Sequence, residues 1–336
     1  MSMLKPSIGK GAVVGLLTMA VTPVAVADDA ILAHIMDSEH IFHGASERFM
    51  DRLDELSGGE FTISYHPGGD LGDWTSIIEQ VAQGSVQMTI AWNYGELDPR
   101  WDISNLAFIA EDWEQGEAVF GPGSTMEEVY QDIMGDLGMV LLGVIPTDFT
   151  GFVVRKGTEV PVEFPEDARG FKMRVPAQPL SIESYSALGF SVVPMAFSEV
   201  HTALQTGAID GRAVSPPSEV LMFKDVVSAY VYTRHNFEHT FWLANKRWFD
   251  SLDAEQQDWV TTAATEAVEW GWENAEAQRP RWFGGREEAG IEVIELTPEQ
   301  QATYKELTME VEYPYMESLV GPEVMERIRS AAEASE

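Results

Sequence analysis

The sequence predicts an α/β fold, helices laid over sheets, and three observations predict it. Short apolar segments, some alternating with a period of two, take turns with longer segments whose apolar residues recur at helical spacing. That alternation is the pattern of a sheet covered by helices. At 336 residues the chain is long enough to bury a large core and to divide it between two domains. One helical pattern, Asp253 to Gln278, would run about 40 Å at the usual rise, enough to reach across two small domains.

Ahead of the first element stands an export signal. Lys5 and Lys10 lead into an apolar run from Ala12 to Val26, interrupted at Thr18 and Thr22-Pro23 and followed by Ala27 and Asp28-Asp29. Small residues at Ala25 and Ala27 suit a secretory peptidase, and the run is short of the ~20 residues a membrane helix needs. We expect residues 1–27 to be cleaved, a retained anchor being the alternative, and the mature chain to be soluble and periplasmic. A strand follows over Ala30 to Ile35, then a helix over Ile41 to Leu56 with Phe42, Ala45, Phe49 and Leu53 on one side. Gly58-Gly59 ends it, because glycine takes the left-handed C-terminal position at little cost. Phe61, Ile63 and Tyr65 alternate as a half-buried strand; a helix over Trp74 to Gln83 and a strand over Val86 to Trp92 come next.

The alternation continues with a helix at Met126 to Met134 and strands at Val140 to Val144, Gly151 to Val154 and Lys172 to Val175. Helices at Ile182 to Leu188 and Ser198 to Gln205 flank a strand at Ser191 to Pro194. Strands are expected at Ile209 to Arg212, Ala229 to Thr233 and Phe241 to Ala244. The long pattern from Asp253 carries Trp259, Ala263, Ala267, Trp270 and Ala277 on one side, and Pro280 limits its undistorted continuation. A strand at Ile291 to Ile294 and two more helical segments complete the chain.

Composition excludes several functions. A formal charge of −34 repels phosphates and anionic lipid heads, so nucleic acid and membrane surfaces are poor partners. Such a surface suits a salty medium, where ions screen the self-repulsion. The absence of cysteine removes thiol nucleophiles, thiolate metal sites and iron–sulfur centres. His34, Glu39, His40 and His43 lack the paired-histidine helical spacing of a zinc protease, and His235 with His239 forms no better signature. Acidic pairs arise by coincidence on so acidic a surface, and no serine elbow is present. We therefore expect no catalytic residue, no metal and no cofactor.

A series of fragments carries a family resemblance. It begins with Gly68-Gly69-Asp70-Leu71-Gly72 and Gly84-Ser85-Val86-Gln87-Met88 and is strongest over Gly170-Phe171-Lys172-Met173-Arg174-Val175-Pro176. Gly189, Val192-Val193-Pro194-Met195, Ser198-Glu199-Val200 and Ala203-Leu204-Gln205-Thr206-Gly207-Ala208-Ile209-Asp210-Gly211 follow, then Asn245-Lys246, Trp248 and Leu252. In this order and spacing the chain resembles the substrate-binding receptors of tripartite ATP-independent periplasmic (TRAP) transporters. The resemblance implies two α/β lobes with crossing segments, a cleft between them, and a long helix spanning both. It implies a first lobe of residues 28–152 and 238–279 and a second of 153–237 and 280–336. It also implies a non-catalytic receptor that passes an organic acid to two membrane subunits, a small DctQ-like and a large DctM-like one; a monomer is the default expectation. The alternatives are an exported sensor or scaffold and, further off, a secreted hydrolase.

Arg174 occupies the position whose guanidinium, in the family, clamps a ligand carboxylate. The chemistry agrees, since arginine stays charged and offers two parallel donors to two carboxylate oxygens; the alternative is an ion pair within the chain. Arg155 is a second candidate for contact, with a surface or hinge salt bridge as its alternative. Where the family commonly has a ligand-binding asparagine after its Asp-Gly pair, this chain has Val214; Ser215 is a candidate to recover a polar contact, and Arg212 either approaches the cleft or makes a structural ion pair. Trp92, Asn93 and Tyr94 follow a strand, where such domains expose ligand contacts. Phe237 and Phe241 suit the cleft or the interior equally. The missing asparagine and the aromatic segment favour a less polar organic acid over a sugar acid.

Overall fold

The structure, a computed structural model, describes residues 30–333, so the expected export signal lies outside it. The first part of the chain lays down β1 (Ala30–Ala33), α1 (Ile41–Ser57), β2 (Ile63–His66), α2 (Trp74–Gln83) and β3 (Met88–Ala91). β1 pairs in parallel with both β2 and β3. α1 buries Phe42, Ala45, Phe49 and Leu53, and Gly58 caps it at φ 61°. A 3-10 segment at Pro99–Asn105, α3 (Trp113–Phe120) and α4 (Thr125–Asp136) lead to β4 (Met139–Phe149).

A second sheet collects β5 (Gly151–Arg155), β6 (Lys172–Val175), α5 (Pro179–Ala187), β7 (Ser191–Pro194), α6 (Val200–Thr206), β8 (Gly211–Ser215), α7 (Pro217–Val220) and β9 (Val227–Tyr232). β10 (Phe237–Asn245) then returns to the first sheet, between β3 and β4 and antiparallel to both. The remainder is α8 (Lys246–Ser251), α9 (Ala254–Ala275), α10 (Arg279–Glu288), β11 (Glu292–Glu295), α11 (Pro298–Val320) and α12 (Pro322–Glu333). The strand orders are β2-β1-β3-β10-β4 and β11-β9-β5-β8-β6-β7.

The chain thus changes sheet three times, between β4 and β5, between β9 and β10, and between β10 and β11. At the crossing, the Thr150 amide donates to the Asn236 carbonyl and the Arg234 amide to the Thr150 carbonyl, both at 2.9 Å. The long helical run is longer than the sequence predicts. Asp253 caps α9 in a reciprocal capping box with Gln256, and a single 3-10 turn at Glu276–Gln278 joins α9 to α10. Pro280 falls in the first turn of α10, where its missing N–H leaves no bond unmade. The first part of this run packs on α1 and β4 and the second on α7 and β11, so it spans both sheets. The other differences are local: β4 and β10 extend further than their apolar cores predict, and α3, α7, α8 and the 3-10 segment at Pro99–Asn105 carry too short a pattern to announce themselves. Among the described residues no helix is long and apolar enough to cross a membrane.

Candidate functional site

The carboxyl ends of β3, β6 and β8 converge between the sheets, the place where open α/β sheets hold ligands. β6 lies between β7 and β8, parallel to both, and its Arg174 stands in register with Arg212 of β8. Both guanidinium-bearing side chains are buried, at 3 % and 4 % exposure. Two like charges on adjacent strands repel, and the chain compensates only one of them. Arg212 Nη2 is bonded to the Glu219 carboxylate, itself buried, and also donates to the Val214 carbonyl at 3.1 Å. Arg212 Nη1 donates to Ser215 Oγ at 3.1 Å, and the Arg212 guanidinium carbon lies 5.0 Å from the Phe197 ring centre.

Among the described residues Arg174 has no such partner. Its Nε and Nη2 both donate to the Met195 carbonyl, at 3.0 and 2.7 Å, which fixes the guanidinium and leaves Nη1 unengaged. Burial and the neighbouring Arg212 charge pull its pKa down to about 9, against the attraction of Glu219 and Asp73, so it remains charged at neutral pH. Val214, on β8 two residues after Arg212 and in the cavity lining, has φ 48°. That left-handed conformation strains a β-branched residue and recurs at binding sites.

The facing wall comes from the first sheet. Trp92 packs 5.2 Å from Phe42 and 6.3 Å from Trp74, ring centre to ring centre. Asn93 spends its amide on the seam: Nδ2 donates to Asp102 Oδ1 at 3.0 Å and Oδ1 accepts from Asn105 at 3.1 Å. Gln178, beyond β6, closes the seam from the other side, donating to the Asn93 carbonyl at 3.0 Å and accepting from Asn105 at 2.9 Å. Glu238 on β10 is buried and accepts from Thr147 Oγ1 at 2.7 Å. Burial and the nearby charge of Glu219 raise its pKa well above the carboxylate range, opposed by Thr147, Trp92 and Arg212.

A space of about 420 Å³, part of it open to solvent, is lined by Trp74, Trp92, Asn93, Asn105, Arg174, Pro176, Gln178, Phe197, Arg212, Val214, Glu219 and Glu238. A second space of about 450 Å³ shares Trp74, Arg174, Pro176, Gln178 and Phe197 with it and reaches Tyr94. Of the residues singled out in the sequence, Arg174, Trp92 and Asn93 meet in the first space and Tyr94 lines the second.

Arg155, Ser215 and Phe237 lie outside both linings. β5 runs antiparallel to β8, with Gly151 opposite Ser215, so Arg155 ends up at the far end of the strand. There it pairs with Asp210 at 3.1 Å. Ser215 is fully buried and serves Arg212. Phe237 is packed among the rings of Trp113, Phe120, Phe149 and Trp272, and Phe241 against Trp101 and Tyr130. Phe171 packs on Phe190. His34 is bonded to Tyr65 at 2.7 Å and to the Met36 amide, and burial, helped by His43, lowers its pKa to about 3. Among the described residues no group of side chains is arranged to hold a metal ion.

The sequence reading missed Glu219, Glu238, Trp74, Phe197, Asn105 and Gln178. For Glu238 a signal existed, a carboxylate just after Phe237 and three residues ahead of the apolar stretch Phe241 to Ala244. Nothing distinguishes Glu219 among 55 acidic residues.

Comparison with known proteins places the architecture. A family model described as bacterial extracellular solute-binding protein, family 7 (DctP), matches residues 32–317. The 2,3-diketo-L-gulonate-binding periplasmic protein YiaO of Escherichia coli K12 is 28% identical over 77% of this chain and 77% of its own length. The ectoine/5-hydroxyectoine-binding periplasmic protein UehA of Ruegeria pomeroyi is 28% identical over 81% of this chain and 80% of its own. The crystal structure of the sugar acid binding protein DctPAm of Advenella mimigardefordensis, in complex with galactonate, superposes with a TM-score of 0.84 at 21% identity, covering 92% of this chain and 99% of that one.

Proposed function

This chain belongs to family 7 of the bacterial extracellular solute-binding proteins, and from that membership and the geometry of its cavity we propose a specific role. It is a periplasmic receptor, acting as a monomer, that binds a small organic carboxylate between lobes built on its two sheets. Arg174 anchors the ligand, and the closed form delivers it to the small DctQ-like and large DctM-like subunits of a TRAP transporter for ion-gradient-driven uptake. The ligands in the relatives' names support the class, since diketo-gulonate, ectoine and galactonate each carry a carboxylate.

The observation that carries the reading is a buried guanidinium, held by one carbonyl and lacking an ion-pair partner, in the wall of a cavity between the sheets. A carboxylate loses its hydration on entering such a space, and two parallel N–H donors restore what it loses. Closure expels further water and strengthens those bonds. No step of bond making or breaking is assigned to the site. The test is calorimetry on Arg174→Ala with an acid identified by thermal-shift screening. Truncation of a buried charge partner is expected to cost roughly 2–5 kcal/mol of binding. A folded variant with near-wild-type affinity would refute the anchor.

A further inference from the structure

The charges lining the cavity point to a ligand that carries two. Arg212 and Glu219 cancel each other by direct contact. That leaves Arg174 on one wall and Glu238 on the other, neither in an ion pair and both buried. Glu238 comes from β10 of the first sheet and Arg174 from β6 of the second, so the two lie across the cavity from each other's sheets. Trp74, Trp92 and Phe197 line the same space.

Each class of organic acid meets this wall differently. A second carboxylate finds no free cation on this wall, since Arg212 is already paired with Glu219, and beside it Glu238 has to stay protonated. A purely apolar tail would leave the Glu238 carboxyl dehydrated, with the Thr147 hydroxyl and the Trp92 indole as its polar neighbours. A cationic nitrogen group bearing N–H bonds finds a carboxylate acceptor and the electron-rich faces of indole rings together.

We propose that the ligand is a small zwitterion, its single carboxylate on Arg174 and its protonated nitrogen group on Glu238, flanked by Trp74 and Trp92. The proposal rests on the receptor reading with Arg174 as anchor and adds the chemistry of the second end. It carries a proton signature. Glu238 is faced by Trp92 after β3, Thr147 on β4, Arg212 on β8, Glu219 on α7 and Tyr230 on β9. Burial and Glu219 hold its proton on in the absence of a cation. A bound cation favours the ionised carboxyl, so binding expels that proton to solvent, and affinity rises as pH is raised through the elevated pKa.

Matched acids test this. Pipecolate, cyclohexanecarboxylate and cyclohexane-1,2-dicarboxylate share one ring, and 4-aminobutyrate, butyrate and succinate are the open-chain counterparts. Thermal shift followed by calorimetry on the purified chain is expected to rank a zwitterion at least tenfold tighter than its neutral-tailed and dianionic analogues. Glu238→Gln is expected to weaken the zwitterion at least tenfold and the neutral-tailed acid less than threefold. If that variant does not fold, the pH dependence of wild-type affinity decides, with a fall as pH rises from about 6 to about 8, below the range in which Arg174 loses its charge, overturning the proposal. A dicarboxylate or neutral-tailed acid that binds as tightly, and loses binding in Arg174→Ala, overturns the zwitterion and leaves the receptor standing. Binding indifferent to Arg174, or no binding by any of the six, overturns both.

Discussion

Gln178→Ala separates the seam between the sheets from the anchor. In the structure the Gln178 side chain makes two bonds across the seam, Nε2 to the Asn93 carbonyl at 3.0 Å and Asn105 Nδ2 to Oε1 at 2.9 Å. Its third, from Ser181 Oγ at 3.3 Å, stays on its own side. A typical intramolecular hydrogen bond contributes about 1 kcal/mol net, so the two crossing bonds favour the joined arrangement by about 2 kcal/mol. When the sheets part, water satisfies Asn93 and Asn105, and the loss therefore falls on the closed form rather than on folding. Apparent affinity scales with the population of the competent form, and about 2 kcal/mol corresponds to a roughly 30-fold weaker Kd. Most of it should appear as faster dissociation, read by stopped-flow fluorescence from Trp74 and Trp92 in the lining. Because Gln178 also lines the cavity, Asp102→Asn serves as a control from outside it. Asp102 accepts from Asn93 and from the Leu180 amide, so an amide there sets one N–H against another across the same seam. A Kd within threefold of wild type in both folded variants would refute the reasoning.

Two further outcomes follow from strain and burial. Val214→Asn replaces a β-branched residue at φ 48° with one that tolerates the left-handed region, and should raise stability by about 1 kcal/mol in urea denaturation; a loss of that size would show that packing, not strain, governs the position. Glu312 on α11 bonds Ser184 Oγ on the second-sheet side and the Ala107 amide on the first, and burial raises its pKa to about 7 despite both donors. A carboxyl whose folded pKa exceeds its unfolded value contributes stability at low pH and loses it as pH rises through the folded value. Glu312→Gln should therefore gain on the wild type in melting temperature between about pH 5 and 8, and an offset independent of pH would sink the assignment.

How far the fold was legible depended on length of pattern. α1 could be read because its apolar residues recur over four turns before Gly58, and β6 has the bounds, Lys172–Val175, that the sequence predicts. α7 and α8, at 4 and 6 residues, offer less than two turns of periodicity, so nothing in composition marks them. The site divides in the same way. Arg174 could be named because a motif surrounds it. Arg155 lies at the end of its strand away from this cavity, and residue spacing says nothing of whether β5 runs with β8 or against it. Glu238 and Gln178 reach the cavity only through the return of β10 and the turn after β6, which are facts of topology.

The rival account of Arg174, a structural ion pair, can be weighed against the rest of the chain. With 55 acidic residues to 21 basic ones, a basic side chain here is surrounded by available carboxylates. Arg100, Arg155, Arg212 and Arg279 each take one. Arg286 is buried without an ion pair, but it spends its guanidinium on ring faces, 3.7 Å from the Phe283 centre and 4.8 Å from that of Tyr230, away from the cavity. Arg174 has neither a carboxylate nor a ring in contact, and it stands beside a second guanidinium that raises the cost of its charge. A fold that needed only to fill this position would find an apolar residue cheaper. An anion entering the cavity would stabilise that charge, which is the ground for the anchor proposed above.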